Sequence, residues 1–256
     1  MITLMLNDWQ RIWKRRKTMI SLLIFAAIVG LDSLFLKMQQ MGAFDSVSGV
    51  PLTAQNFPLF LLKEVSFFLS LIIGPMLIID SFNGEAHSGQ LRLVLIRPIS
   101  FGKLFAAKWL NLSILLTLFL IVTFVIGQSA GYAFKPSVDW QVFRNPEQTY
   151  DPTGAFLYCL KAYGLFLLIL LAQLSVMALL CFLLPNPVLC YLGWIGVAVG
   201  SLYATDALSF LLYGIGSVFD WMEESGPAVR LLPVLICMGL CFAVTMVGWK
   251  RRNWVN

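Results

Sequence analysis

The sequence predicts an all-α integral membrane protein with six transmembrane helices, and three observations carry that prediction. Hydrophobic residues make up 59% of the 256 and charged residues only 12%, whereas soluble domains carry about a quarter charged residues. A water-soluble fold of this length needs far more polar surface to enclose one core. Several apolar runs reach the roughly 20 residues that cross a bilayer as a helix. Those runs are also too long and too continuous for the alternating strands of an outer-membrane barrel.

Taken in order, the first span runs near Thr18–Leu36. The basic stretch "WQRIWKRRK" before it has the look of a signal-peptide n-region. The apolar run behind it is too long for a cleaved segment and no A-x-A site follows, so this span is read as retained. The second span runs near Leu59–Ile79, with Gly74–Pro75 permitting a kink. The third runs near Leu104–Gly127 and leads into an outer loop, 128–154. The fourth runs near Ala155–Leu184. The fifth starts at Val188, but the 32 residues to Phe219 exceed one crossing and include Asp206. A carboxylate at the bilayer centre costs at least about 2.5 kcal/mol. The crossing is therefore expected to end near Tyr203, with 206–230 folding back as short re-entrant helices on the outer side. The sixth span runs near Leu231–Trp249.

Charge sets the expected orientation. With both termini cytoplasmic, the inner side collects Arg11, Lys14, Arg15, Arg16, Lys17, Arg92, Arg97, Lys103, Lys108, Lys250, Arg251 and Arg252, which is 12 of the 18 Lys and Arg. Of 13 acidic residues only Asp8, Asp80 and Glu85 fall there. That split follows the positive-inside rule. The net charge of +5 sits beside membrane ends, so anionic lipid headgroups rather than nucleic acid are the expected partner. The apolar, N-terminal stripe Met5, Trp9, Ile12, Trp13 has Asp8, Arg11, Lys14 and Arg15 off it, the pattern of a helix lying in the membrane interface over residues 1–17.

Enzyme chemistry finds no support. His87 is the one histidine, too few for H-E-x-x-H or an equivalent zinc set. Glu223–Glu224 lacks partner histidines, and "GIGSVF" departs from the serine-hydrolase G-x-S-x-G. Cys159, Cys181, Cys190, Cys237 and Cys241 lie in or beside apolar spans and read as small buried residues, not a disulfide or metal framework. No catalytic residue and no metal site are assigned. Gly102–Lys103 does not complete a P-loop, so any nucleotide chemistry belongs to another chain.

The segment between the second and third spans carries the most information. "SFNGEAHSGQLRLVLIRPISFGKLFAAKW", Ser81–Trp109, gathers Glu85, His87, Arg92, Arg97, Lys103 and Lys108 around Leu91, Leu93, Val94, Leu95 and Ile96. Asn83 is placed to cap a short helix with Glu85 and His87 in its first turn. Pro98 disfavours helix at Arg97, "ISFG" makes a turn, and Lys103 and Lys108 flank the start of the third span. The apolar middle is too short to cross and too greasy for a free loop, so it must lie against the membrane, the bundle or a partner. Positive-inside statistics alone account for the cations, but not for an acidic start, Gly89 and an Arg–Pro stop around an apolar centre.

Glu85, Gly89, Leu91, Leu95, Arg97, Pro98, Lys103 and Lys108, after the second of six spans, resemble the permease subunits of type-2 ABC transporters. The resemblance covers the whole chain in layout and about these 25 residues in motif; one departure is Phe101, where many relatives carry Arg. It implies that 82–103 holds a cytoplasmic coupling helix docking on a cytosolic ATPase, through Asn83, Gly84, Glu85, His87, Ser88, Gly89, Gln90, Leu91, Arg92, Arg97 and Pro98. It further implies an N-terminal interfacial helix (Trp9, Ile12, Trp13), two ATPase copies holding ATP and Mg, and pairing with a second permease subunit, itself or a similar chain, with a homodimer expected; the single-membrane layout suggests the bacterial cytoplasmic membrane.

No span is read as carrying a charge pair fit for a small ion. Phe67, Phe68, Met76, Phe119 and Met177 are candidates for an apolar, adaptable substrate cavity. An amphipathic substrate fits such a surface, and the compact layout resembles exporters of peptide toxins and lantibiotics. Lipid or drug export stays open, as do a channel and a structural subunit working without ATP. A channel or secondary carrier is expected to show ionisable groups or broken helices within the membrane, or an internal repeat.

Overall fold

A computed structural model describes residues 9–10, 16–44, 49–84, 101–184, 186–223 and 227–251. It is mostly helical and contains six helical stretches long and apolar enough to cross a membrane: Thr18–Met38, Phe57–Asn83, Phe101–Phe134, Pro152–Leu183, Pro187–Ala204 and Arg230–Arg251. The first crossing is helix α1 (Arg16–Met38). The second is built from α2 (Phe57–Phe68), a π turn (Leu69–Ile73), α3 (Gly74–Ile79) and a second π turn (Asp80–Gly84). Helices α4 (Phe101–Phe134), α5 (Pro152–Leu183), α6 (Pro187–Ala204) and α8 (Pro227–Arg251) make the other four. Between α6 and α8, the segment expected to fold back holds a 3-10 helix (Asp206–Leu211) and α7 (Gly214–Glu223).

Helix starts follow from local sequence. Asp151 precedes Pro152 and its carboxylate accepts the Gly154 N–H at 3.0 Å; Asn186 precedes Pro187 and accepts the Val188 N–H at 3.0 Å. A capping acceptor followed by proline at the first helical position satisfies one orphan N–H and omits another. The third crossing outlasts its apolar window. It continues seven residues beyond Gly127 to Phe134, so the connection to α5 is shorter than the expected 128–154. Glycine makes this extension possible: a Cβ on Gly127 would meet Pro58 Cα at 2.9 Å, and one on Gly131 would meet the Ala54 carbonyl oxygen at 2.7 Å. Small residues of this kind let membrane helices approach closely.

The connections at that end interlock. Strands β1 (Met41–Ala43) and β2 (Gly49–Pro51) pair antiparallel, as do β3 (Gln141–Val142) and β4 (Thr149–Tyr150). The Gln55 side chain exchanges hydrogen bonds with the Val138 backbone, and the Ala54 N–H donates to Pro136 O at 3.0 Å. Phe143 stacks on Tyr158 with centroids 4.0 Å apart. Arg144 reaches α7, 2.7 Å from Asp220 and 3.3 Å from Glu223.

Enclosure is uneven. Most of the second and fourth crossings is buried, 67% and 61% of their apolar windows, but only 22% of the fifth and 11% of the sixth. Leu192, Ile195, Val199, Leu235, Ile236, Leu240 and Val244 therefore lie exposed on the single chain. Apolar side chains in that position are stable against lipid or another membrane helix, not against water.

Candidate coupling site at the base of the loop

Residues 85–100 lie outside the described residues, and with them Glu85, His87, Ser88, Gly89, Gln90, Leu91, Arg92, Arg97 and Pro98. Ile12 and Trp13 also lie outside; Trp9 falls in a short helical piece and is half-buried. What the structure describes is the base of the loop, formed by Asn83 and Gly84 on one flank and the first turns of α4 on the other.

Both flanks are held. Asn83 is buried, and its side-chain amide donates to Leu184 O at 2.9 Å, at the C-terminal end of α5. Asn83 thus ties the second crossing to the fourth from within a π turn, and the helix it was expected to cap lies outside the described residues. Across from it, Lys108 is 1% exposed and its ammonium donates to Ser81 O at 2.7 Å. Lys108, expected to flank the start of the third span, is a buried crosslink from α4 to the end of the second crossing. Lys103 does lie exposed. An ammonium enclosed by protein is tolerated only when carbonyls or charges satisfy it.

Aromatic packing extends the clamp to the sixth crossing. Phe82, Phe105 and Trp249 form a cluster with centroids 5.8–6.1 Å apart, and Phe242 lies 5.3 Å from both Phe105 and Trp109. Trp109 donates its indole N–H to the Ser175 hydroxyl oxygen of α5 at 3.1 Å. Gly102 packs on the Lys250 stem, where a Cβ would meet Cε at 2.6 Å. The chain segments that enter and leave the loop are therefore fixed to the second, third, fourth and sixth crossings together.

The second crossing also has a joint. Pro75 has no N–H to give Leu71 O, its partner four residues back. The Tyr191 hydroxyl of α6 donates to that carbonyl instead, at 2.8 Å, while the Gly74 N–H reaches Leu69 O, five residues back. A π turn over Leu69–Ile73 thus precedes Gly74–Pro75, and the carbonyl that Pro75 leaves free is satisfied from a neighbouring helix, as membrane burial requires.

The candidates for a substrate cavity divide between the core and the outer faces of the single chain. Phe119 and Met177 are each 1% exposed, and Phe119 packs 4.7 Å from Phe25 in the core. Both lie in the core of the single chain. Phe67 and Met76 are exposed and Phe68 is half-buried against Phe67. Sequence reading also overlooked charge inside the spans. Asp32 lies within α1 and Lys63 and Glu64 within α2, and Glu64 is close enough to Asp32 for their charges to interact. The Lys63 ammonium donates to Ala43 O, whereas the buried Asp32 Oδ2 has no hydrogen-bond partner among the described residues. The signal was present as ionisable letters inside runs whose average hydropathy is high.

Six helices long and apolar enough to cross a membrane, with the described flanks of the loop packed on four of them, define a multi-pass membrane protein. The family model for ABC-2 family transporter proteins matches residues 2–223, and the chain belongs to that family. It is accordingly a transmembrane subunit of an ABC transporter, a kind of subunit that works with an ATPase rather than being catalytic itself. No curated protein matches the sequence.

Proposed function

We propose that the chain is the membrane-spanning half of an ATP-driven exporter whose coupling element is the segment 85–100. The observation that carries this reading is the double clamp at the loop's base. A partner pressing on the loop would move Asn83 and α4 together, and through Leu184, Ser175, Phe242 and Trp249 the fourth and sixth crossings with them. A loop that only joined two helices would need no such seating.

In this reading both termini and the loop face the cytoplasm. Two copies of the chain pair as a homodimer around two ATPase chains, which hold ATP and Mg, in the bacterial cytoplasmic membrane. Glu85, His87, Ser88, Gly89, Gln90, Leu91, Arg92, Arg97 and Pro98 meet the ATPase, and Trp9, Ile12 and Trp13 lie in the lipid interface. The cargo is an amphipathic molecule, with a peptide toxin or antibiotic peptide as first choice and a lipid or drug as second. The exposed apolar faces of α6 and α8 support this, since a lateral apolar surface suits cargo with one greasy side.

The test is purification of the tagged chain in mild detergent with mass spectrometry of what stays bound, alongside Glu85→Lys and Gly89→Trp. A P-loop ATPase retained by the wild type and lost from the variants supports coupling; wild type without an ATPase removes it. The π-interrupted second crossing and the Asp32–Glu64 pair favour a second reading, transport coupled to an ion. Cargo movement that persists without ATP would establish that one instead.

A further inference from the structure

At the end of the bundle away from the loop, the 3-10 helix, α7 and the start of α8 enclose a cavity of about 560 Å³ lined by Asp206, Ala207, Ser209, Phe210, Ser217, Asp220, Trp221, Arg230 and Pro233. This volume lies within the range of about 300–1,000 Å³ that holds small organic ligands. The walls are fixed from several sides. Gln173 of α5 donates to Leu211 O at 3.0 Å, the Ser209 hydroxyl donates to Asp206 O at 2.7 Å, and Arg144 grips Asp220 and Glu223 from the β3–β4 hairpin.

The chemistry of the lining selects an occupant. Phe210 and Trp221 are buried at 1% and 5% exposure, and with Ala207 and Pro233 they supply apolar wall. Ser209 and Ser217 supply hydroxyls. Asp206, Asp220 and Arg230 line the cavity, and Arg144, outside the lining, is shared between Asp220 and Glu223, so among the described residues three carboxylates stand against two guanidiniums, a formal excess of one negative charge. An aromatic face beside such an excess attracts cations further.

We infer that this cavity binds an amphipathic monocation of about dipeptide size, its ammonium near Asp206 and its apolar body on Phe210 and Trp221. The inference concerns the end of the bundle opposite the coupling loop and requires no ATPase, so it stands or fails separately from the exporter reading.

The probe is leucyl-leucinamide, a monocation, compared with its neutral N-acetyl form. Binding to the purified full chain in phosphatidylcholine nanodiscs is followed by calorimetry and by tryptophan fluorescence. The cation should bind at least about tenfold tighter than the neutral form, the order of one charge-assisted hydrogen bond. Asp206→Asn should erase that preference, Asp206→Glu should keep it, and Asp139→Asn, an exposed acid outside the cavity, should leave it unchanged. Trp221→Phe should remove the fluorescence change. Equal binding of the two probes, no binding, or a preference surviving in Asp206→Asn would overturn the inference. A second arm adds phosphatidylethanolamine: unchanged affinity supports a soluble amine, whereas loss of binding assigns the site to the lipid ammonium and overturns the soluble ligand.

Discussion

The hydroxyl of Tyr191 donates to the carbonyl oxygen of Leu71 across 2.8 Å, and that bond makes a proline possible in the second crossing. Pro75 removes the donor that Leu71 O would have had, and no water is at hand in a hydrocarbon layer to replace it. The joint between α2 and α3 thus depends on a side chain 120 residues away in sequence.

Tyr191→Phe should therefore destabilise the chain by about 1–3 kcal/mol, the cost of leaving a buried acceptor unsatisfied. Thermal unfolding in detergent measures it. In a Pro75→Ala background the backbone N–H returns and Leu71 O regains a local donor, so the same tyrosine change should cost less. Equal costs in both backgrounds would show that the hydroxyl acts elsewhere.

Lys108→Met keeps most of the stem volume and removes the ammonium that holds Ser81 O. Loss of a charged donor to a buried carbonyl costs on the order of 1.5–3 kcal/mol. The sharper expectation concerns coupling: the variant should still fold and bind the ATPase, but with ATPase stimulation by cargo reduced severalfold, because the two flanks of the loop would no longer move as one. Full stimulation by a folded Lys108→Met protein would mean the bond is structural only.

Much of this fold was legible in the sequence because a bilayer imposes a strong length rule. All six crossings, the end of the fifth near Tyr203 and the helical segment before the sixth follow from apolar run length and one ill-placed aspartate. Other features depend on tertiary partners that composition does not reveal. The extension of α4 to Phe134 rests on Gly127 and Gly131 meeting the start of α2. The π turn rests on Tyr191. Lys108 is a cation by type, and its burial, with Ser81 O accepting from its ammonium, is set by tertiary packing. Of the candidate site, the motif 85–98 came from sequence pattern, while the anchoring of its base by Asn83, Trp109 and Trp249 is a contact between distant segments and has no local signature.

Gly131 and Gly102 separate two kinds of crowding. A Cβ at Gly131 would lie 2.7 Å from backbone oxygen of Ala54, whereas one at Gly102 would lie 2.6 Å from the flexible Lys250 Cε. Gly131→Ala should cost about 1–3 kcal/mol as an overpacked site and lower the unfolding temperature. Gly102→Ala should be near neutral, since Lys250 can swing aside. The reverse order of melting temperatures would refute the packing of α4 on α2.

Asp151 gives a pH signature outside the membrane. The Thr153 hydroxyl, and then the Gly154 N–H, hold its carboxyl below the ordinary 3.8. A depressed folded value means that the charge stabilises the fold above about pH 4 and that this contribution is lost as pH falls through the folded value. Asp151→Asn keeps the acceptor oxygen but not the charge. Wild type should melt above the variant at pH 6, and the gap should close as the pH falls below 3.8. A gap independent of pH would show that the carboxylate is not what secures the start of α5.

The junction of the fourth and fifth crossings offers the most direct check of the helix register. Cys181 of α5 and Cys190 of α6 place their sulfurs 2.9 Å apart, on either side of the turn whose Leu184 carbonyl Asn83 holds. Diamide should join them readily, each thiol giving up one hydrogen to the oxidant, and digestion should recover the linked peptides from wild type but not from Cys190→Ser. Closing so short a loop is worth about 2–3 kcal/mol on the chain-entropy account, so the oxidised protein should melt higher. Because the bond would lock only the α5–α6 turn, which already abuts the loop's base, ATPase binding should survive oxidation. A protein that fails to cross-link, or that links Cys181 to another cysteine, would require a different register between these two helices.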